Sequence, residues 1–147
     1  MSVDPNSPFG KLLKIEDPDI ICLQETKLQE KMEKDFQFKG YHTYFSSSTV
    51  VKGYSGVAIL TKEKPTSVST DLEGIDEDLR NEGRIITAYF KGFAIVNTYV
   101  PNTSRADDDY ELYMARRKNW DNAIREHLNK IKQEVGEVIW CGILMLI

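Results

Sequence analysis

The sequence has no surplus of positive charge: 19 Lys and Arg stand against 23 Asp and Glu, giving a formal charge of −4. Gripping nucleic acid by bulk electrostatics needs a clustered cationic surface, so any such contact must be local. Cysteine is scarce. Cys22 and Cys141 each sit in an apolar run, with neither a second Cys nor a His at metal-ligand spacing, which points to buried reduced thiols and an intracellular address, nuclear or cytoplasmic. The two histidines, His42 and His127, lie far apart without the carboxylates or cysteines of a triad or zinc site, and no role is assigned to them. Phosphate-cradling and dinucleotide-binding glycine patterns are missing, so nucleotide-cofactor chemistry has no support. The apolar run Val138 to Ile147 is ten residues, about half a bilayer span, so it reads as a buried strand or an abnormal terminus. Met1 to Asn6 offer no basic segment leading into an apolar one, so neither a signal peptide nor a membrane partner is expected.

What is present suffices for a core. The 147 residues are 41% hydrophobic and 10% aromatic, in keeping with one globular domain. No internal repeat or low-complexity tract divides them, and turn signals recur along the whole length. Phe9 to Ile15 reads as a short helix, and Ile20 to Leu23 as an apolar strand leading into Gln24-Glu25-Thr26-Lys27. Tyr41–Phe45, Gly56–Leu60, Arg84–Phe90 and Phe93–Tyr99 are rich in β-branched and aromatic residues. Lys91-Gly92 between the last two suits a tight hairpin turn and antiparallel pairing. From Asp107 to Lys132 apolar residues fall at helical intervals, with acids near the start and Lys130 and Lys132 near the end, as the helix dipole favours. Val138 to Cys141 reads as a final buried strand.

Glu25 follows directly on an apolar strand, where a carboxylate can be held rigidly for a hard cation. The same placement suits a Glu opening a helix or pairing with Lys27. Thr98-Tyr99-Val100-Pro101-Asn102 ends another strand with a phenol, a rigid turn and an amide, which can serve a phosphate or simple packing. Tyr54, between Gly53 and Ser55-Gly56, reads as a backbone-contacting loop or a plain turn. Arg116-Arg117-Lys118 with Arg105 is the main basic concentration. Asp107 to Asp109 nearly cancel it at long range, leaving a solvated helix face as the default.

Five blocks occur in order: Pro18 to Lys27, Gly53 to Val57, Glu82-Gly83-Arg84, Asn97 to Asn102, and Arg117 to Asp121. Together they resemble the N-terminal half of the exonuclease III / AP endonuclease family of the endonuclease/exonuclease/phosphatase superfamily, from about Asp17 to Gly142. The resemblance implies an α/β (α+β) fold: half of a four-layer sandwich, a mixed, mostly antiparallel sheet with covering helices. It implies Glu25 as ligand of a catalytic Mg²⁺ (or Mn²⁺), Tyr99 and Asn102 as active-site residues at the phosphate, and Lys27, Tyr54, Arg105 and Arg117 as DNA contacts. The implied activity is a base-excision-repair phosphodiesterase acting on double-stranded DNA with abasic sites or on a 3′ end. A retroelement endonuclease or phosphoinositide phosphatase shares the sandwich, though the Tyr-Val-Pro-Asn block favours the nuclease branch. A catalytically dead DNA- or protein-binding fragment is the non-enzymatic alternative.

Two departures bear on activity. The family's opening strand, with its Asn and acidic residue, has no counterpart in Met1 to Pro8. Where the family reads Gly-Asp-Leu-Asn, this chain reads Gly142-Ile143-Leu144-Met145-Leu146. Losing one G from codons GGA GAT CTT AAT GTT A reproduces that run, so residues 143–147 are expected to be an out-of-frame tail. The chain is accordingly expected to be a truncated, inactive copy that lacks the later Asp and terminal Asp-His pair, with a C-terminal half as a possible complement. One sheet alone would leave the inner faces of Ile20–Leu23 and Ile95–Tyr99 open, with marginal stability.

Overall fold

The computed structural model describes Asp4, residues 6–103 and residues 110–143. Along them run α1 (Pro8–Glu16), β1 (Ile20–Gln24), α2 (Glu30–Glu33), β2 (His42–Ser46), β3 (Val57–Thr61), β4 (Ser67–Ser69), α3 (Glu77–Arg80), β5 (Ile85–Phe90), β6 (Phe93–Tyr99), α4 (Tyr110–Val135) and β7 (Glu137–Ile143). Ser7 opens α1, its hydroxyl accepting from the Gly10 amide while Pro8 takes the first turn. The helix stops where Asp17 turns left-handed and returns its N–H to the Leu13 carbonyl. The calls at Asp107 to Asp109 and Leu144 to Ile147 lie outside the described residues.

Two sheets form, not one. β1, β3 and β2 make an antiparallel sheet in the order β1-β3-β2, and β4-β5-β6-β7 make a mixed one. The β5–β6 pair is the hairpin expected at Lys91-Gly92, with Gly92 at φ 88° in the turn. β7 instead lies parallel to β6, from Phe93↔Glu137 to Tyr99↔Ile143, because the long α4 carries the chain back across the sheet before it re-enters.

The period-2 alternation of β5 and β6 sorts their side chains between two cores. Ile86, Ala88, Phe90 and Ile95 meet Val57 and Ile59 of β3, so the sheets pack face to face. Ile85, Ala94 and Val96 face the other way, onto Trp120, Ala123, Ile124 and Ile131 of α4 and onto Leu72, Ile75 and Leu79. Each such aliphatic side chain contributes about 1.5–3 kcal/mol on burial.

This arrangement corrects the expectation of one sheet with an open inner face: Ile95 is 2% exposed because the three-stranded sheet already covers it. The apolar exposure lies on β7 instead. Ile139 is 51% and Trp140 42% exposed, so the expected buried final strand is an edge strand. A three-stranded sheet facing a four-stranded one leaves part of the wider sheet uncovered. The cysteines differ too, since Cys22 and Cys141 are free but only half-buried.

Candidate active site

Glu25 begins where β1 stops pairing, and its backbone is strained: φ is 52° at Glu25 and again at Lys27. Left-handed geometry at a non-glycine residue persists where neighbours enforce it. Here the Thr26 and Lys27 amides donate to the carbonyls of Gly56 and Ser55 at 3.1 and 2.9 Å. Gly56 has φ 93°, and a Cβ there would meet the Thr26 hydroxyl at 2.3 Å, so glycine is what lets the two loops lie together.

The Glu25 carboxylate has two partners. Tyr99, at the end of β6, donates its hydroxyl to Oε1 at 2.8 Å, and the Lys27 ammonium stands 3.2 Å from Oε2. The ion pair with Lys27 and the tie to a second strand end therefore coexist. The Tyr99 hydrogen bond first, and then Lys27, hold the carboxyl below its ordinary value. Burial, and then that same hydrogen bond, push the Tyr99 phenol up to about 12, so it stays a protonated donor at neutral pH.

Beside Tyr99 opens a cleft of about 420 Å³ lined by Tyr54, Arg84, Tyr99, Asn102, Tyr113 and Arg116 among others. Arg84 is its organiser. Only 5% exposed, it donates to Glu82 Oε2, to the Tyr99 carbonyl at 3.1 Å and to the Tyr54 hydroxyl at 2.7 Å. Its guanidinium also lies 5.4 and 5.1 Å from the ring centres of Tyr54 and Tyr99, within cation–π range. Arg116 reaches Glu82 at 2.9 Å and Asp78 at 2.7 Å. Two arginines against two carboxylates make the cleft floor nearly neutral in net charge but rich in directed N–H donors.

The structure thus brings Glu25, Lys27, Tyr54, Tyr99 and Asn102 into one region. Arg117 points elsewhere: it pairs with Asp121 at 2.8 Å and lines a separate hollow on α4, while its neighbour Arg116 lines the cleft. Arg105 lies outside the described residues. From the sequence, Arg84 was named only as a strand start and within the block Glu82-Gly83-Arg84, and Arg116 only within a basic run read as a solvated helix face, and neither was assigned a role. The available signal was Glu82-Gly83-Arg84, a block with an arginine beside a charge partner at the mouth of a strand.

A protein-family comparison matches residues 5–142 to the Endonuclease/Exonuclease/phosphatase family. A DNA-(apurinic or apyrimidinic site) endonuclease of Dictyostelium discoideum is 37% identical over 135 residues, 91% of this chain and 36% of that protein. An exodeoxyribonuclease of Bacillus subtilis (strain 168) is 38% identical over 134 residues, 91% of this chain and 50% of that protein. Among solved structures, the catalytic domain of Xenopus laevis APE2 superposes with a TM-score of 0.74 at 26% identity, covering 92% of this chain and 52% of that one. An AP endonuclease from Archaeoglobus fulgidus gives 0.65 at 36% identity, over 90% and 49%. The chain spans half or less of the length of the relatives it matches by sequence, and about half of these structures.

Proposed function

This chain belongs to the endonuclease/exonuclease/phosphatase family, and from that membership we propose that it carries the metal-ligating half of the site of a base-excision-repair phosphodiesterase, intracellular and directed at double-stranded DNA with abasic sites. The observation that supports this most is the Glu25 carboxylate, fixed in a strained turn at a strand end and hydrogen-bonded by Tyr99 beside the donor-lined cleft.

The residues present fit a hard divalent cation, Mg²⁺ or Mn²⁺. Such an ion is commonly held by one or two carboxylates and completes its shell with waters and substrate phosphate oxygens. Glu25 supplies one carboxylate, partly open to solvent, while Asn102 lines the adjoining cleft where a substrate phosphate would sit. Among the described residues no three His, Cys, Asp or Glu converge, which argues against an all-protein cage of the zinc type.

When bound, the cation supplies charge stabilisation at the scissile phosphate and leaving oxygen. The remaining roles belong to the chain's own groups. Glu25 would hold the ion, and the Tyr99 phenol keeps that carboxylate in one orientation. Arg84 keeps Tyr54 and Tyr99 apart and aligned, so the Tyr54 ring and the Asn102 amide border the space a DNA backbone would occupy. Lys27, paired with Glu25 at 3.2 Å, would be placed to contact a phosphate were that carboxylate to hold a cation. By resemblance Arg105 joins this basic contact set, whereas Arg117, paired with Asp121 on α4 away from the cleft, stands outside it.

After Gly142 the chain reads Ile143-Leu144-Met145-Leu146 where the family has Asp-Leu-Asn. We infer that this stretch binds without turning over on its own, and that a C-terminal half docks on the exposed edge strand β7. The same exposed strand favours, as a second reading, a non-catalytic binding fragment.

The test is cleavage of a fluorescent duplex with one abasic site, in Mg²⁺ or in EDTA. The chain is assayed beside a form continued through the Asp-Leu-Asn frame and the family's second half. Cutting by the longer form alone, abolished by Glu25→Ala, supports both parts of the proposal. Mg²⁺- and Glu25-dependent cutting by the short chain would show that this half suffices.

A further inference from the structure

β6 turns Phe93, Ile95, Asn97 and Tyr99 toward the three-stranded sheet. Three of these are apolar or aromatic. Asn97, fully buried, is the exception, and burying an amide costs stability unless each of its polar groups is paired. Here they are. Its Nδ2 donates to the carbonyls of Leu23 and Ala58, each at 2.9 Å, and its Oδ1 accepts from Gln24 Nε2 at 2.6 Å.

Those partners share one level of the facing sheet. Leu23 of β1 and Ala58 of β3 are register partners, so one amide group grips both strands at the same rung. The next residues along β1 are Gln24, held by the same side chain, and Glu25, where the backbone turns to φ 52°. Two residues beyond Asn97 on β6 stands Tyr99, the hydrogen-bond donor to Glu25. The hydrogen bonds that join the sheets therefore climb toward the carboxylate: Asn97 to Leu23 and Ala58, Gln24 to Asn97, and Tyr99 to Glu25.

A valine or isoleucine at position 97 would suit β6 better as core packing. An amide in that row instead fixes which residue of β1 ends opposite Tyr99. Since a one-residue slip turns every side chain of a strand to its other face, the grip decides whether residue 25 meets Tyr99 at all. We propose that Asn97, acting through Gln24, is a positioning residue for the Glu25 carboxylate as a metal ligand. The inference rests on the metal role proposed for Glu25, but its placement component is independent of that role.

Two readouts on the full chain test it. One is affinity for Mn²⁺ alone, followed by electron paramagnetic resonance. The other is titration of the Glu25 carboxyl by ¹³C NMR, which a loss of stability in itself does not move. Outer partners of metal ligands are worth roughly 10–100-fold in affinity. Asn97→Ala is expected to weaken Mn²⁺ binding by about that factor and to raise the Glu25 titration toward an ordinary carboxylate. Gln24→Met, which removes only the amide that joins them and keeps the side chain's bulk, is expected to do the same in smaller measure and decides the matter where Asn97→Ala does not fold. Unchanged Glu25 titration in a folded variant overturns the proposal. So does unchanged Mn²⁺ affinity where Glu25→Gln loses it. If Glu25→Gln binds Mn²⁺ like the unaltered chain, the metal role fails instead, and the Glu25 titration alone still decides whether Asn97 places the carboxylate.

Discussion

The Tyr99 hydroxyl and the Glu25 carboxylate meet at 2.8 Å although 74 positions separate them in the chain. Each closes a strand of a different sheet, so the contact forms only once the sandwich has assembled. Its energetic signature runs in both directions. Glu25, depressed by Tyr99, stabilises the fold above the ordinary carboxylate value and loses that contribution as pH falls through its lowered one. Tyr99, raised to about 12, contributes below the ordinary phenol value of 10.0 and loses it as pH climbs from there to about 12.

Tyr99→Phe keeps the ring and deletes the donor. The Glu25 carboxyl is expected to titrate higher in this variant by ¹³C NMR, retaining only the part of its depression due to Lys27. In the reciprocal change, Glu25→Gln, the Tyr99 phenol should ionise earlier, read as the ultraviolet difference against Tyr99→Phe. Independence of the two titrations would mean that the hydrogen bond is not populated in solution.

Arg84→Met should be among the most damaging single changes. It leaves Glu82, a carboxylate only 12% exposed, facing Arg116 alone and removes the donor to Tyr54. Breaking such a buried pair costs about 3–5 kcal/mol, moderated here because Arg116 remains. Arg84→Lys should recover little, since an ammonium cannot reach Glu82, Tyr54 and the Tyr99 carbonyl at once. Denaturation midpoints compare the two, and a lysine variant as stable as the unaltered chain would contradict the forked role.

How much of this was written locally can be judged from particular residues. Glu25 and Tyr99 were legible because each follows a run of β-forming side chains and belongs to an ordered set of motifs. Every strand among the described residues except the short β4 at Ser67–Ser69, and the β5–β6 turn, followed from β-forming runs and Lys91-Gly92. Three features were hidden. A second sheet depends on which strands pair, and β1, β2 and β3 carry no local sign that they stand apart from β5 and β6. Arg84 looked like any strand-opening arginine, because its partners Tyr54 and Tyr99 lie 30 and 15 residues away. Likewise Val138 to Cys141 looked like a core strand by composition, whereas strand order puts β7 at an edge.

Gly83 makes a sharper packing prediction. Its φ is +67°, and a Cβ would stand 2.5–2.7 Å from backbone atoms of Ser46, Ser47 and Ser48, which cannot retreat as a flexible side chain would. Gly83→Ala is therefore expected to cost about 1–3 kcal/mol from the backbone conformation alone, with the clash in addition. The displacement falls beside Arg84, so Tyr54 fluorescence and the cleft should change with it. A fully stable alanine variant would show that the segment 46–48 adjusts freely.

The last prediction concerns acid. His127 of α4 meets the Thr87 hydroxyl of β5 at 3.0 Å, joining the long helix to the sheet beneath it. Burial, and then the positive charge of Lys130, hold its imidazole below the ordinary value of 6.5, against the opposing pull of Asp71 and Glu134. The folded state thus favours the neutral ring. Its contribution is complete above 6.5 and diminishes as pH falls, because the unfolded chain takes up the proton first. Urea midpoints should fall between pH 7.5 and 5.5, and His127→Gln, which keeps a polar partner for Thr87 without the titration, should flatten that decline. If the decline survives His127→Gln unchanged, it belongs to the carboxylates, and the helix–sheet junction carries no proton linkage in this range.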